Sequence, residues 1–319
     1  ANLAVLQREV FGPVVHIIRF KAEQLDDVIA QINASGYGLT MGVHSRIAEV
    51  TAQVAREVKA GNIYINRNMI GAVVGVQPFG GRGLSGTGPK AGGPFYLTRL
   101  IKDNLQVTEA PLSAEKRLQL MSSAGQDAAI DQLLQQATKA QPAWAALEIT
   151  KRSSIVRQFL AQLASNSLVL KQERDLPEVI EAARHLLLDI EKQLAAPITL
   201  PGPTGESNQL HLEARGVVAC IRDESACFKY WILSILTALA AGNAVVAVVE
   251  DKDFAEAEAV RKVLLNANLQ PALFVVAKLT QLKALISNPL VAAAVIEAGS
   301  AVKALTGELI AARDGAISP

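Results

Sequence analysis

An α/β fold is predicted by this sequence on three observations. Half of the 319 residues are hydrophobic and only 4% are aromatic, so aliphatic side chains supply most of the apolar surface, as in helices packed on buried strands. Short β-branched runs alternate with segments of helical apolar spacing, which is typical of a parallel, doubly wound sheet. The length indicates two domains, because one domain has about 150 residues.

Charge and cysteine content exclude several classes of protein. Lys and Arg number 31 against 30 for Asp and Glu, a net charge of +1, which argues against a broad nucleic-acid-binding surface. The composition also excludes collagen-like, intrinsically disordered and disulfide-framework proteins. With two cysteines only, Cys220 and Cys227, a reducing, cytoplasmic location is predicted.

One segment has the length of a membrane-spanning helix, since residues 230–249 carry no charge. Gly242 and Asn243 interrupt it, and the β-branched run 244–249 follows. This order predicts one buried helix and then one buried strand. The chain has no signal-peptide pattern at Ala1.

The first hundred residues alternate between strand and helix signals. Strands are predicted over 14–20, 39–44 and 62–66, and helices over 23–34 and 46–58. Residues 61–93 then hold ten of the 22 glycines. Such a density of glycine indicates a backbone that passes very close to other atoms.

The rest of the chain begins with a polar stretch, 106–127, that predicts a linker. Helices are predicted over 128–138, 151–164 and 177–194, an irregular segment over 197–208, strands over 216–221, 244–249, 273–276 and 291–296, and helices over 225–241, 254–266 and 300–312. This second alternation predicts another parallel sheet.

Familiar catalytic and metal-binding patterns are not found. The four histidines lack metal-ligand spacing. Cys220 lies in an apolar run and is predicted to be buried, whereas Cys227 begins a helix-like segment without a partner base. The G-x-G-x-x-G run over 81–86 follows Pro78 and Phe79 instead of a strand, so it is rejected as a dinucleotide loop.

Two motifs carry a specific resemblance. The run E-V-F-G-P over 9–13 is similar to a motif of the aldehyde dehydrogenase superfamily. The run N-R-N-M-I-G-A-V-V-G-V-Q-P-F-G-G over 66–81, with L-S-G-T-G-P-K-A-G-G-P over 84–94, resembles its glutamate-γ-semialdehyde (Δ1-pyrroline-5-carboxylate) dehydrogenases, as found in bacterial proline utilisation enzymes. This resemblance covers residues 1 to about 100.

The resemblance implies a role for five residues. It implies that Gly71 and Ala72 anchor the α-carboxylate of the substrate, as backbone N–H groups can, and that Phe79 packs against its carbon chain. It implies that Glu9 binds the nicotinamide ribose of NAD and that Phe11 packs beside the nicotinamide. Without the resemblance, Glu9 reads as a solvated charge, the glycine loop as an ordinary turn and Phe79 as a core aromatic.

The resemblance also implies a mechanism in which a cysteine thiolate attacks the aldehyde, hydride passes to NAD and a glutamate base promotes thioester hydrolysis. We expect both of these residues upstream of Ala1 and expect the fragment alone to be inactive. The implied parent oxidises proline with FAD in a part absent from this chain. Its expected substrate is glutamate γ-semialdehyde, and it is expected to form a homo-oligomer and to associate peripherally with a membrane. DNA is expected as a partner only if the parent has an N-terminal DNA-binding domain.

Residues 128–319 resemble a degenerate aldehyde dehydrogenase cofactor domain. Asp223, Glu224 and Ser225 stand where the family has Pro-Trp-Asn, and Val248 and Val249 stand where it has Lys-Pro. The oxyanion-stabilising asparagine and the NAD-binding lysine are therefore lost. The sequence thus predicts the C-terminal segment of a semialdehyde dehydrogenase domain (1–105), the linker, and a non-catalytic Rossmann-like domain. Another aldehyde dehydrogenase and a purely structural or interaction module remain the alternatives.

Overall fold

The computed structural model describes Leu6 and residues 10–101, 112–122, 127–165 and 176–318. The chain divides into two compact units. The first unit comprises Ala1–Asp103, Leu200–Asn208 and Asp314–Ile317. The second unit comprises Asn104–Thr199, Gln209–Arg313 and Ser318–Pro319.

The described part of the first unit contains two α-helices and two small sheets. Its elements are α1 (Leu25–Ala34), β1 (Tyr37–Gly38), β2 (Thr40–Val43), α2 (Ala48–Glu57), β3 (Asn62–Ile65) and β4 (Arg82–Gly83). Strands β2 and β3 pair in parallel, and β1 and β4 pair antiparallel. The small core holds Ile29 of α1 and Val54 of α2, as helical apolar spacing predicts.

The strand predicted over 14–20 is not formed. Val15 and Ile17 are strongly exposed, and no strand in the described residues lies beside this segment to accept its backbone hydrogen bonds. The alternating apolar pattern predicted a strand, but a strand is stable only when it pairs with another strand, and this segment has no such partner in the described residues.

The second unit is built on a parallel sheet covered by helices. Its helices are α3 (Ala114–Met121), α4 (Asp127–Ala145), α5 (Ile149–Ser165), α6 (Leu176–Leu194), α7 (Phe228–Ala240), α8 (Phe254–Asn266), α9 (Leu282–Ile286) and α10 (Ser300–Ala311). Its sheet contains β7 (Val217–Arg222), β8 (Ala244–Val249), β9 (Phe274–Lys278) and β10 (Val291–Glu297). Every residue of β7 and β8 is buried, which explains their continuous apolar runs.

The strand order is β10-β7-β8-β9, and all neighbouring pairs are parallel. In chain order this is 3-2-1-4, which corresponds to one half of a dinucleotide-binding fold (3-2-1) and the first strand of the other half. Its order reverses between β7 and β10. Ligands of such sheets bind where the order reverses, beyond the carboxyl ends of the strands.

The uncharged stretch over 230–249 is a helix followed by a strand, as predicted. Helix α7 ends at Ala240 and β8 begins at Ala244. Between them, Asn243 accepts backbone hydrogen bonds from Arg215 (2.8 Å) and Gly216 (3.2 Å) through Oδ1 and donates one to Ala238 through Nδ2 (3.1 Å). Within the described ranges, no helix is long and apolar enough to span a membrane.

Two predicted irregular segments contain regular structure. The segment predicted as a linker includes α3, whose Leu120 is fully buried and whose Lys116 forms a 2.8 Å ion pair with Glu250. The segment predicted as irregular over 197–208 begins in β5 (Ile198–Leu200) and ends in β6 (Asn208–Leu210), which pair with each other. The prolines and glycines between the two strands are typical of irregular segments, so the sequence did not predict this pair of strands.

Candidate functional site

The glycine-rich segment of the first unit is held together by Lys90 and Asn62. The Lys90 ammonium donates to the carbonyl oxygens of Gly61 and Gly80 and to Oδ1 of Asn62. Asn62 is buried, donates to the Pro78 carbonyl (2.9 Å) and accepts from the Gly80 amide (3.2 Å). These contacts join β3 to the chain that follows the loop at Gly71.

Glycine is required at Gly61 by this close approach. A Cβ there would overlap the carbonyl oxygen of Gly80 and lie 2.8 Å from the Cα of Gly81. At Gly71, by contrast, an added Cβ would meet no atom of the described structure within 4 Å. Packing within the described structure therefore requires glycine at position 61 but not at position 71.

The loop at Gly71 and Ala72 leads into a tight turn. The backbone amide of Gln77 donates to the Val73 carbonyl (2.8 Å), and the backbone amide of Val73 donates to the side-chain oxygen Oε1 of Gln77 (3.0 Å). Among the described residues, the backbone amides of Gly71 and Ala72 have no hydrogen-bond acceptor. Two adjacent free donors on an exposed loop are suited to binding an anion.

Phe79 lies just after this turn, where it pairs with Ala91 through two backbone hydrogen bonds of 3.0 and 2.9 Å. Its side chain is 38% exposed, so it is not the core aromatic of the simpler interpretation.

Of the two residues expected to contact NAD, only Phe11 lies in the part of the chain that the structure describes. Phe11 is 93% exposed, so its ring is open to a ligand. Glu9 lies outside the described residues. Their roles and those of Gly71, Ala72 and Phe79 remain predictions.

Glu206 belongs to this site although the sequence did not predict it. Its Oε2 accepts a 3.1 Å hydrogen bond from Nε2 of Gln77, and its Oε1 lies 2.9 Å from Nη1 of Arg67. The pair with Arg67 has the distance of an ion pair but not hydrogen-bond geometry at Nη1. No local pattern relates Glu206 to Gln77, because 129 positions separate them.

The reversal point of the second sheet is occupied by a side chain of the protein itself. Asp223, which follows β7 and is 8% exposed, accepts a 2.8 Å hydrogen bond from the Gly299 amide at the start of α10. Its other oxygen accepts from the amide (2.9 Å) and hydroxyl (2.6 Å) of Ser225. A helix N-terminus here would attract a cofactor phosphate, and the Asp223 carboxylate takes that place.

The neighbouring positions do not fit NAD either. Val248 is fully buried within β8, so no cation stands where the family's lysine is expected. Arg222 is 4% exposed and pairs with Glu256 (2.8 Å) and Asp253 (3.5 Å), while its guanidinium lies 4.9 Å from the Trp231 ring centre. The Arg222 guanidinium is thus engaged within the fold.

The remaining sequence candidates are accounted for by the fold. Cys220 is buried in β7 and Cys227 is the N-cap of α7, both as predicted, and Cys227 is exposed. The described residues contain no cluster of His, Cys, Asp and Glu able to hold a metal ion. Gly83 pairs in β4 and no helix follows it, which agrees with rejecting the G-x-G-x-x-G run.

Two kinds of known protein are among those similar to this chain. Bifunctional protein PutA of Klebsiella aerogenes is 44% identical over 222 residues, 68% of this chain and 14% of that protein. The PutA of Rhizobium meliloti is 42% identical over 245 residues, 76% and 16% of the two chains. A 1-pyrroline-5-carboxylate dehydrogenase of a Geobacillus species is 46% identical over 96 residues, 30% of this chain and 18% of that one.

The chain therefore spans about one seventh of the length of the PutA proteins that it matches. Among solved structures, a mutant of proline utilization A from Bradyrhizobium japonicum has a TM-score of 0.53 at 22% identity, covering 64% of this chain and 23% of that one. This likeness shows the shared fold. The aldehyde dehydrogenase family model matches residues 1–104 and 110–315. With both stretches matched, the chain belongs to the aldehyde dehydrogenase family.

Proposed function

We propose that this chain is part of a bifunctional proline catabolic enzyme. In it, a flavin-dependent part oxidises proline, and an NAD-dependent part oxidises glutamate γ-semialdehyde to glutamate. The identity to PutA proteins over more than two thirds of the chain supports this proposal. A cytoplasmic location, a homo-oligomer and peripheral membrane association belong to the same proposal, with DNA as a partner only if the parent has an N-terminal DNA-binding domain.

The first unit, with a boundary near residue 105, is proposed to bind the substrate. The observation that carries this is the pair of free backbone amides at Gly71 and Ala72. They would donate hydrogen bonds to the α-carboxylate, which distinguishes the semialdehyde from uncharged aldehydes. The exposed Phe79 would cover the carbon chain between the carboxylate and the aldehyde.

Glu9 and Phe11 are proposed to hold the nicotinamide half of NAD, Glu9 by accepting hydrogen bonds from ribose hydroxyls and Phe11 by packing. Bound NAD would accept the hydride that leaves the aldehyde. The nucleophilic cysteine and the base would come from a part of the enzyme outside these 319 residues. We therefore expect the chain alone to be inactive.

Residues 128–319 are proposed to form a cofactor-type domain that no longer binds NAD, after a linker over 106–127. The Asp223 carboxylate at the start of α10 and the apolar Val248 support this. Its role would be structural, covering the dehydrogenase site and contributing to subunit contacts. A purely structural module is thus the function of this half and not of the whole chain.

Steady-state NADH formation tests the proposal on the full-length protein that contains this chain. We expect kcat/KM for glutamate γ-semialdehyde to exceed that for butanal, which lacks the carboxylate, by at least about 100-fold, since a lost charge-assisted contact costs about that much in an unpaired site. Equal values for both aldehydes would favour a different aldehyde dehydrogenase. Activity of the 319 residues alone would contradict the placement of the cysteine and the base outside them.

A further inference from the structure

We infer that Glu206 is a positioning residue for substrate binding, acting through Gln77 on the loop at Gly71 and Ala72. The inference rests on the proposed function, because it assigns that loop to the carboxylate of the substrate. Glu206 lies in the segment Leu200–Asn208, which folds with the first unit although it is distant in sequence. Among the described residues, its carboxylate contacts Gln77 and Arg67 and has no hydrogen bond to Gly71 or Ala72.

Two hydrogen bonds connect the Glu206 carboxylate to the backbone of the loop. Nε2 of Gln77 donates to Oε2 of Glu206 (3.1 Å), and the Val73 amide donates to Oε1 of Gln77 (3.0 Å). The Gln77 amide also donates to the Val73 carbonyl (2.8 Å). The buried Gln77 side chain therefore joins Glu206 to the residue that follows Ala72.

The Glu206 carboxylate determines whether the oxygen or the NH₂ group of the Gln77 side-chain amide faces the loop. An ionised carboxylate only accepts hydrogen bonds, so Glu206 attracts the NH₂ group of Gln77 and leaves the Gln77 oxygen for Val73. With the opposite orientation, the NH₂ group would meet the Val73 N–H, two donors face to face. Glu206 thus fixes the Val73 amide inside the turn and leaves the amides of Gly71 and Ala72 as the free donors.

Arg67 makes an acidic residue compatible with an anion site. A lone carboxylate close to the loop would repel the substrate carboxylate. Arg67 lies 2.9 Å from Oε1 of Glu206, and its guanidinium lies over the Tyr64 ring at 5.3 Å from the centre. The pair is electrically neutral, so Glu206 can orient Gln77 without adding net negative charge to the site.

Amide hydrogen exchange on the 319-residue chain tests the contact without any catalytic readout. In Glu206→Ala, exchange at the Val73 amide should rise about tenfold, because Gln77 is free to turn its NH₂ group inward. In Glu206→Gln, which keeps an oxygen acceptor, the rise should be smaller. Glu308→Gln, which removes a surface ion pair with Arg117 in the second unit, is the matched control and should leave Val73 unchanged.

Kinetics on the full-length enzyme test the positioning role. Glu206→Ala should raise KM for glutamate γ-semialdehyde about 3- to 10-fold, with kcat nearly unchanged and with KM for butanal unaffected. Glu206→Gln should recover part of the loss. A merely structural residue would instead lower kcat and affect both aldehydes alike, which would overturn the inference.

The outcomes separate this inference from the proposed function. If wild-type enzyme does not prefer the semialdehyde to butanal, the proposed function fails, whatever exchange at Val73 shows. If wild type has the preference and Glu206→Ala changes neither the exchange at Val73 nor the ratio of the two KM values, only the role of Glu206 is wrong. A parallel change of exchange and of that ratio supports both.

Discussion

The Asp223 carboxylate accepts a 2.8 Å hydrogen bond from the N–H of Gly299, the N-cap residue of helix α10, at the point where the order of the sheet reverses. A phosphate bound there would need the same amide. The contact with Asp223 satisfies this amide within the protein, so it should stabilise the start of α10.

Replacing Asp223 by Ala should therefore lower the free energy of unfolding by about 1 to 3 kcal/mol, since a buried amide loses its acceptor. Asp223→Asn should cost less, because its side-chain oxygen still accepts. Urea denaturation measures both. Asp251→Ala, which removes an exposed pair with Lys278, should change the free energy by less than about 1 kcal/mol. Equal costs at both sites would contradict the role of Asp223.

Titration calorimetry of Asp223→Ala with NAD is expected to show no binding to the second unit. Freeing one amide does not supply the missing cation, because Val248 remains buried in β8. Clear NAD binding by this variant, absent from wild type, would show that Asp223 alone closes the site.

Arg222 and Glu256 form a buried ion pair whose members should depend on each other. Arg222→Met leaves the buried Glu256 carboxylate without its 2.8 Å partner, and we expect a loss of about 3 to 5 kcal/mol. The double variant Arg222→Met with Glu256→Leu should lose much less than the sum of the single variants, since no buried charge remains unpaired. A double-mutant cycle in urea measures the coupling. Additive losses would show that the pair is not coupled.

The two cysteines should differ strongly in reactivity. Burial, assisted by the nearby Glu297 carboxylate, raises the pKa of Cys220 to about 12 from its ordinary value of 9.0. Cys227 is exposed. At pH 8 a thiol reagent should therefore label one cysteine in the native chain and two in denaturant. In Cys227→Ser the native chain should not react, and labelling of that variant would show that Cys220 is accessible.

The same pKa shift predicts an effect of pH on stability. A thiol whose pKa is higher in the folded state stabilises the fold below the unfolded value of 9.0. That contribution is lost as the pH rises through the folded value near 12. The free energy difference between wild type and Cys220→Ala should consequently shrink between pH 8 and pH 10. A difference that does not depend on pH would contradict the burial of an uncharged thiol.

The sequence predicted the second sheet well because its signals are local. Strand 244–249 and helix 254–266 have their predicted boundaries, since Gly242 and Asn243 mark one end and a change of apolar spacing marks the next. Helix α3 was hidden in polar sequence, because Leu120 is its only fully buried residue. Its N-cap, Ser113, which accepts a 3.1 Å hydrogen bond from the Lys116 amide, was the available signal.

The candidate site was predicted less completely, for a physical reason. Glycine density and the resemblance drew attention to Gly71, Ala72 and Phe79. The contacts that hold this loop come from Gln77 and Glu206, and hydrogen bonds between residues 129 positions apart have no periodic trace in a sequence. The strand expected over 14–20 failed similarly, because pairing depends on a partner that a local pattern does not reveal.

Gly61 and Gly71 offer the sharpest comparison within the glycine-rich segment. Gly61→Ala should lower the free energy of unfolding by about 1 to 3 kcal/mol, because the new methyl group would overlap the Gly80 carbonyl oxygen. Gly71→Ala should change it by less than about 0.5 kcal/mol, since no described atom lies within 4 Å of the added Cβ. Thermal unfolding of the 319-residue chain measures both.

Substrate binding should be sensitive to Gly71→Ala although stability is not, because the empty space at Gly71 is where the substrate carboxylate is proposed to approach. In the full-length enzyme, Gly71→Ala should raise KM for glutamate γ-semialdehyde about tenfold and leave KM for butanal unchanged. A stable Gly71→Ala enzyme with an unchanged KM for the semialdehyde would show that the carboxylate binds elsewhere. The loop would then be an ordinary turn, and glycine at position 71 would need another explanation.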